Sequence, residues 1–99
     1  MKISDSKTAV RFIKKTLLKF IDLNEYKIFI FGSRINGKAG KFSDYDVGIL
    51  GKKPLPMHRL SLIKEAFEES DFPFRVDVVD FSLTSTKFRK IALVQAKEL

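Results

Sequence analysis

Between residues 4 and 23, apolar side chains fall at Val10, Ile13, Leu17 and Ile21, the i, i+3, i+4 rhythm of a helix with one buried side. Ser4 or Asp5 can cap its start, and Lys7, Arg11, Lys14 and Lys15 fill the opposite side, which reads as a solvated face. Asn24 and Glu25 break the rhythm before YKIFIF, residues 26–31, a β-branched and aromatic run expected as a buried strand. Residues 32–43 are rich in Gly, Ser, Asn and Lys and read as a loop with room for one helical turn. DYDVGIL, residues 44–50, is the second strand, and GKKPLP stops it. Residues 57–70 put Leu60, Ile63, Ala66 and Phe67 on one side of a helix and Glu65, Glu68 and Glu69 towards water. FRVDVVDF, residues 74–81, is the third strand, and residues 84–99 read as a closing helix that offers Phe88, Ile91, Leu93 and Val94 for packing. The order αβ(α)βαβα predicts an α+β, or α/β sandwich, fold: a small mixed sheet of about three or four strands flanked by helices, in one domain spanning residues 1–99.

Composition adds bounds to this picture. No apolar run approaches the roughly 18 to 20 residues of a membrane span, and the first residues lack the apolar core and cleavage site of a secretory signal. With no Cys there is neither a disulfide framework nor a thiolate metal site, which suits the cytoplasm. Nineteen Lys and Arg against twelve Asp and Glu leave a formal charge of +7, which favours an anionic partner without choosing among a nucleotide, nucleic acid and an acidic protein. The lone His58, at a helix start, reads as a surface or capping residue.

FGSRINGKAG, residues 31–40, nearly spells a P-loop: Gly32, four residues, Gly37 and Lys38. Ala39 stands where the magnesium-binding hydroxyl belongs, and Gly40 breaks the helix that should cradle the phosphates, so a P-loop is not expected. Carboxylates are the better signal. Asp44 and Asp46 lie at i and i+2 of a predicted strand, on one face, where they repel unless a cation such as Mg2+ or Mn2+ lies between them. Asp77 sits among strand valines, an expected burial that costs several kcal/mol without a partner or metal. Asp80 ends that strand and faces the other way, where it can meet water or bond a turn. Asp77 is therefore the better third member, with Arg75 as the alternative, a plain salt-bridge partner on its face.

Gly32-Ser33, ten residues, Asp44-Tyr45-Asp46 and a later strand with Asp77 resemble the nucleotidyltransferase superfamily of the DNA polymerase β type, in its minimal, single-domain form. GSR at 32–34, Gly37, Ser43 and Val47-Gly48-Ile49 also fit that pattern. The resemblance implies that Gly32, Ser33 and Arg34 bind the triphosphate, with Lys38 or Lys41 as further charges. It also implies that Asp44, Asp46 and Asp77 hold two Mg2+ (or Mn2+) ions and carry catalysis, with Asp77 taking the proton of the acceptor hydroxyl. The reaction would transfer a nucleoside monophosphate, AMP from ATP, with release of pyrophosphate.

Larger relatives carry a domain for the acceptor, and none is expected here, so the acceptor site would be borrowed from another protein. Small members resemble antitoxins that attach AMP to a tyrosine of a HEPN-type ribonuclease toxin, so a HEPN-type partner protein is implied. Two other readings stand beside it: a non-catalytic module that inhibits by docking, and transfer to a small molecule or an RNA end. Nucleic acid is less favoured than a protein partner, and a homo-oligomer stays open.

Overall fold

The computed structural model describes residues 5–35 and 44–99, and the side chain of Ser33 lies outside that description. Helix α1, Ser6–Leu17, opens at Asp5, whose Oδ1 accepts the Thr8 amide at 2.7 Å. Its buried stripe is Ala9, Ile13 and Leu17, at strict i+4 spacing. The helix stops sooner than the pattern suggests: the Phe20 and Ile21 amides both return to the Leu17 carbonyl, and Ile21 reaches the core from this turn.

Strand β1, Tyr26–Phe31, and strand β2, Tyr45–Gly51, pair antiparallel with Phe31 opposite Asp46. Helix α2, Met57–Glu68, crosses over to strand β3, Val76–Asp80, which pairs parallel with β2. Helix α3, Thr86–Val94, then returns the chain to β4, Lys97–Glu98, antiparallel to β1. The sheet order is β3-β2-β1-β4, mixed, as the pattern implies. The fourth strand replaces the end of the expected closing helix. Its Lys97 and Glu98 carry no strand signature, yet β1 offers an unpaired edge, the Leu99 amide reaches the Ile28 carbonyl at 2.8 Å, and Leu99 packs against the core. Long-range pairing here overrides local propensity.

Each face of the sheet has its own cover. Ile28, Ile30, Tyr45, Val47, Ile49 and Val78 join Ile13, Leu17, Ile63 and Phe67 in the main core, under α1 and α2. Burying each such side chain contributes about 1.5–3 kcal/mol. The other face carries Phe29, Phe31, Asp46, Gly48 and Asp77. Phe81 packs on it, fully buried, with its ring tilted against its neighbours, 5.2 Å from that of Phe31 and 6.2 Å from that of Phe29.

Gly48 makes this possible, because a Cβ there would fall 2.2 Å from the Phe81 ring. Helix α3 follows on this face but buries none of its residues, so Phe88, Ile91 and Val94 stay exposed instead of packing as the sequence pattern suggests. No helix among the described residues is long and apolar enough to cross a membrane.

Gly48→Ala is expected to destabilise the fold by about 1–3 kcal/mol through overpacking against Phe81. Chemical denaturation checks this, and an unchanged midpoint would show that the ring is free to move.

Candidate functional site

The site is built around Asp46. Its register partner on β1 is Phe31 and on β3 is Asp77, so the Asp46 and Asp77 side chains leave the same face of adjacent strands, whose backbones run about 4.8 Å apart. Asp44, one residue before β2, is exposed and adds its charge from the side. Burial, then Asp77, then Asp44 raise the Asp46 carboxyl above its ordinary value of 3.8. The strand ladder thus brings the three acids singled out in the sequence into one electrostatic cluster.

Gly32, directly after β1, has φ +79°, a left-handed conformation that glycine adopts without the Cβ penalty. A Cβ at this position would stand 2.3 Å from Asp46 Oδ2. The missing side chain therefore serves both the turn and the carboxylate beside it. The turn continues as a 3-10 segment, Gly32–Arg34, the single helical turn foreseen in the loop. The Arg34 guanidinium carbon sits 4.4 Å from the centre of the Tyr45 ring and 4.8 Å from that of Phe74. The two rings meet edge to face at 5.5 Å, and Lys7 and Lys97 share with Arg34 a cavity of about 300 Å³. Gly37, Lys38, Ala39, Gly40, Lys41 and Ser43 lie outside the described residues, as does Ser4.

Asp77 and Asp80 divide differently from the burial argument. Asp77 is exposed, because no helix covers its face of this outer strand among the described residues. Asp80 is the buried one. Its Oδ2 accepts the Leu55 amide at 2.8 Å and its Oδ1 the Ser82 amide at 2.9 Å, which fastens the loop after β2 to the end of β3. Both oxygens of Asp80 are thus engaged in holding backbone, while Asp77 points to open space beside Asp46. A cavity of about 650 Å³ runs along the outer edge of β3 and is lined there by Lys64, Glu68, Arg75 and Asp77.

Sequence reasoning missed the Tyr45 and Phe74 clamp on Arg34, although parity within DYD already sends Tyr45 to the opposite face from its two aspartates. It also missed the contact between Gly32 and Asp46, which joins two segments that pair only through the β1–β2 register.

Among the described residues no group of three or more His, Cys, Asp or Glu closes tightly enough to hold a metal by itself. The donors nonetheless suit a hard divalent cation. Mg2+ commonly takes only one or two protein carboxylates and completes its shell with water and substrate phosphate. Asp46 and Asp77, with Asp44 alongside, fit an ion that arrives with a nucleotide.

Two outcomes follow for these residues. Because folding raises the Asp46 pKa, the neutral form is the one the fold favours; its contribution is intact below 3.8 and is lost as pH rises through the folded value. Melting curves in a chelator are therefore expected to show Asp46→Asn gaining on the native chain as pH rises from 3.8 upward, and a constant difference would refute the repulsion. Gly32→Ala is expected to lower stability by about 1–2 kcal/mol for the left-handed backbone alone, with a further loss from displacing the Asp46 carboxylate, read by thermal denaturation.

Comparison with known proteins agrees with this geometry. Residues 12–99 match the family model described as polymerase beta, nucleotidyltransferase. The chain is 41% identical to a Haemophilus influenzae protein named Probable protein adenylyltransferase MntA, over 95% of this chain and 86% of that one. Among solved structures, a toxin–antitoxin complex with AMP-PNP superposes with a TM-score of 0.71 at 27% identity, covering 87% of this chain and 68% of that chain. The fold also recurs, at a TM-score of 0.57 and 20% identity, in a complex of tri-AMPylated Shewanella oneidensis HEPN toxin with MNT antitoxin, over 89% of this chain and 69% of that one. The chain belongs to the polymerase β nucleotidyltransferase family.

Proposed function

We propose that this chain is a protein adenylyltransferase that moves AMP from ATP to a hydroxyl of a HEPN-type partner protein, a tyrosine by family resemblance, and so acts as an antitoxin in the cytoplasm. The observation that carries this reading is the register pairing of Asp46 with Asp77 beside Gly32. The likeness to the Haemophilus protein named for that activity, and to a toxin–antitoxin complex holding an ATP analogue, supports the choice of nucleotide and partner.

The residues divide the work as follows. Gly32 lets the backbone turn tightly against Asp46, and the amide of this turn and the Ser33 hydroxyl can donate to phosphate oxygens. Arg34 is assigned to the triphosphate by family resemblance alone, since its head stacks on Tyr45 and Phe74, on the opposite face of the sheet from Asp46 and Asp77. Asp77, exposed and next to Asp46, is positioned to accept the proton of the incoming hydroxyl. That oxygen bonds to the α-phosphorus, the bond from the α-phosphorus to the bridging oxygen breaks, and pyrophosphate leaves. Divalent ions, Mg2+ or Mn2+, held by Asp44, Asp46 and Asp77 would neutralise charge on the phosphate oxygens.

Incubation with the product of the neighbouring gene, Mg2+, and ATP labelled at the α or γ position tests the reading. Label from the α position alone on that protein is expected. Asp77→Asn is expected to lower transfer by at least ~100-fold, whereas Asp80→Asn lowers the melting temperature but leaves transfer per folded molecule in place. Activity that survives Asp77→Asn and vanishes in folded Asp80→Asn would exchange the two roles.

A further inference from the structure

The exposed side of α3 has no use in the fold described above. Phe88 is 44% exposed, Ile91 66% and Val94 80%, and Leu83, just before the helix, is 65% exposed. Contiguous exposed apolar groups on a small domain mark contact surfaces more often than chance placement. The helix is capped at its start and touches the sheet through a few side chains. Ser85 caps it by accepting the Phe88 amide at 3.1 Å, and the Arg89 Nη1 donates to the Phe81 carbonyl at 3.4 Å. The Phe88 ring stands edge-on to that of Phe31 at 6.3 Å. Phe31 is the residue opposite Asp46, so the patch begins one aromatic ring away from the carboxylates and on their face of the sheet.

Charge identifies the occupant. The exposed cations of α3 are Lys87 and Lys90, Arg89 being turned to the Phe81 carbonyl, and the helix holds no acid. A second copy meeting this surface by two-fold symmetry would set these cations against themselves, which opposes self-pairing. RNA would satisfy the cations but leave Ile91, Val94 and Leu83 in water, since aliphatic side chains offer bases no stacking platform. A protein with an apolar groove rimmed by Asp and Glu satisfies both features. The proposed reaction needs such a protein to bring its hydroxyl to this same face.

We infer that the apolar, cation-flanked side of α3, formed by Leu83, Phe88, Ile91 and Val94, is the docking surface for the protein that receives AMP. This rests on the function proposed above. Docking there fixes the acceptor protein relative to Asp46 and Asp77 without taking part in the chemistry.

The test uses the purified product of the neighbouring gene as probe. Its Kd is measured by calorimetry without nucleotide, and its KM and kcat with α-labelled ATP. Ile91→Asp and Val94→Asp are each expected to raise Kd and KM by about ten-fold or more, the scale of a central contact residue. They should leave the melting temperature, and kcat at saturating partner, near the native values. Should Ile91→Asp fail to fold, Val94→Asp, the more exposed position, carries the test.

Met57→Asp, on the 83% exposed Met57 of α2, is the control and should change neither constant. Unchanged Kd and KM in both α3 variants would overturn the inference. So would absence of binding by the native chain, a native homodimer that Ile91→Asp splits while partner affinity holds, or loss of RNA binding alone. Tight native binding that both variants weaken, without any transfer of α label, would uphold the docking surface and remove the enzymatic reading instead.

Discussion

The parallel pairing of β2 with β3 holds Asp46 beside Asp77 through backbone hydrogen bonds, while the two charges push apart. Most of what distinguishes this molecule depends on that opposition. A sheet register is a stiff constraint, because a slip by one residue would send every side chain of the strand to the other face. Neither the partial burial of Asp46 nor the repulsion can relax by local rearrangement, and both, burial first, are kept as raised proton affinity on that carboxyl. Gly32 belongs to the same constraint. Its backbone turns into the left-handed region where Asp46 Oδ2 occupies the space of a side chain, so the loop that would receive phosphate and the acid that would face it are fitted to one another.

The two faces of the sheet are built for different ends. One is sealed by α1 and α2 over a continuous aliphatic core, closed at its rim by the stacked Phe12 and Phe72 rings, 4.9 Å apart. The other is only partly covered, by Phe81 set into the notch of Gly48 and by a helix that buries none of its own side chains. Stability comes from the first face, which leaves the second free to carry uncompensated charge and exposed apolar groups. A domain of this size has little apolar area to spare, and concentrating it on one side permits the other to stay open.

Much of this was legible in the sequence, for reasons that can be named. Asp5 as a cap, YKIFIF and DYDVGIL as strands, and the stop at GKKPLP follow from local chemistry, and the structure reproduces them. Alternation also set Asp77 and Asp80 on opposite faces. Alternation does not say which face a helix will cover, so the expected burial went to the wrong aspartate: Asp80 opposes Ile49 on the sealed face, and Asp77 stands on the open one. The same blindness applies to α3, whose apolar residues do not reveal by themselves that Ile91 and Val94 face outward while Phe88 only leans on Phe31 and Phe81. Strand β4 was illegible for another reason. Its two charged residues pair because β1 has a free edge, a fact of topology with no trace in Lys97 and Glu98 themselves.

The place of β3 at the outer edge of the sheet has a consequence for how this site is approached. Among the described residues no strand lies beyond it, and the space along it opens directly at Asp77. An enclosed pocket selects by shape and must open to admit its substrate. Here the group proposed to accept the proton stands on a rim, reachable from the side by a residue still embedded in a folded surface. Such a rim discriminates poorly among hydroxyl groups by itself. Selectivity then falls to whatever surface holds the rest of the visiting molecule in place, and the chemistry can stay minimal.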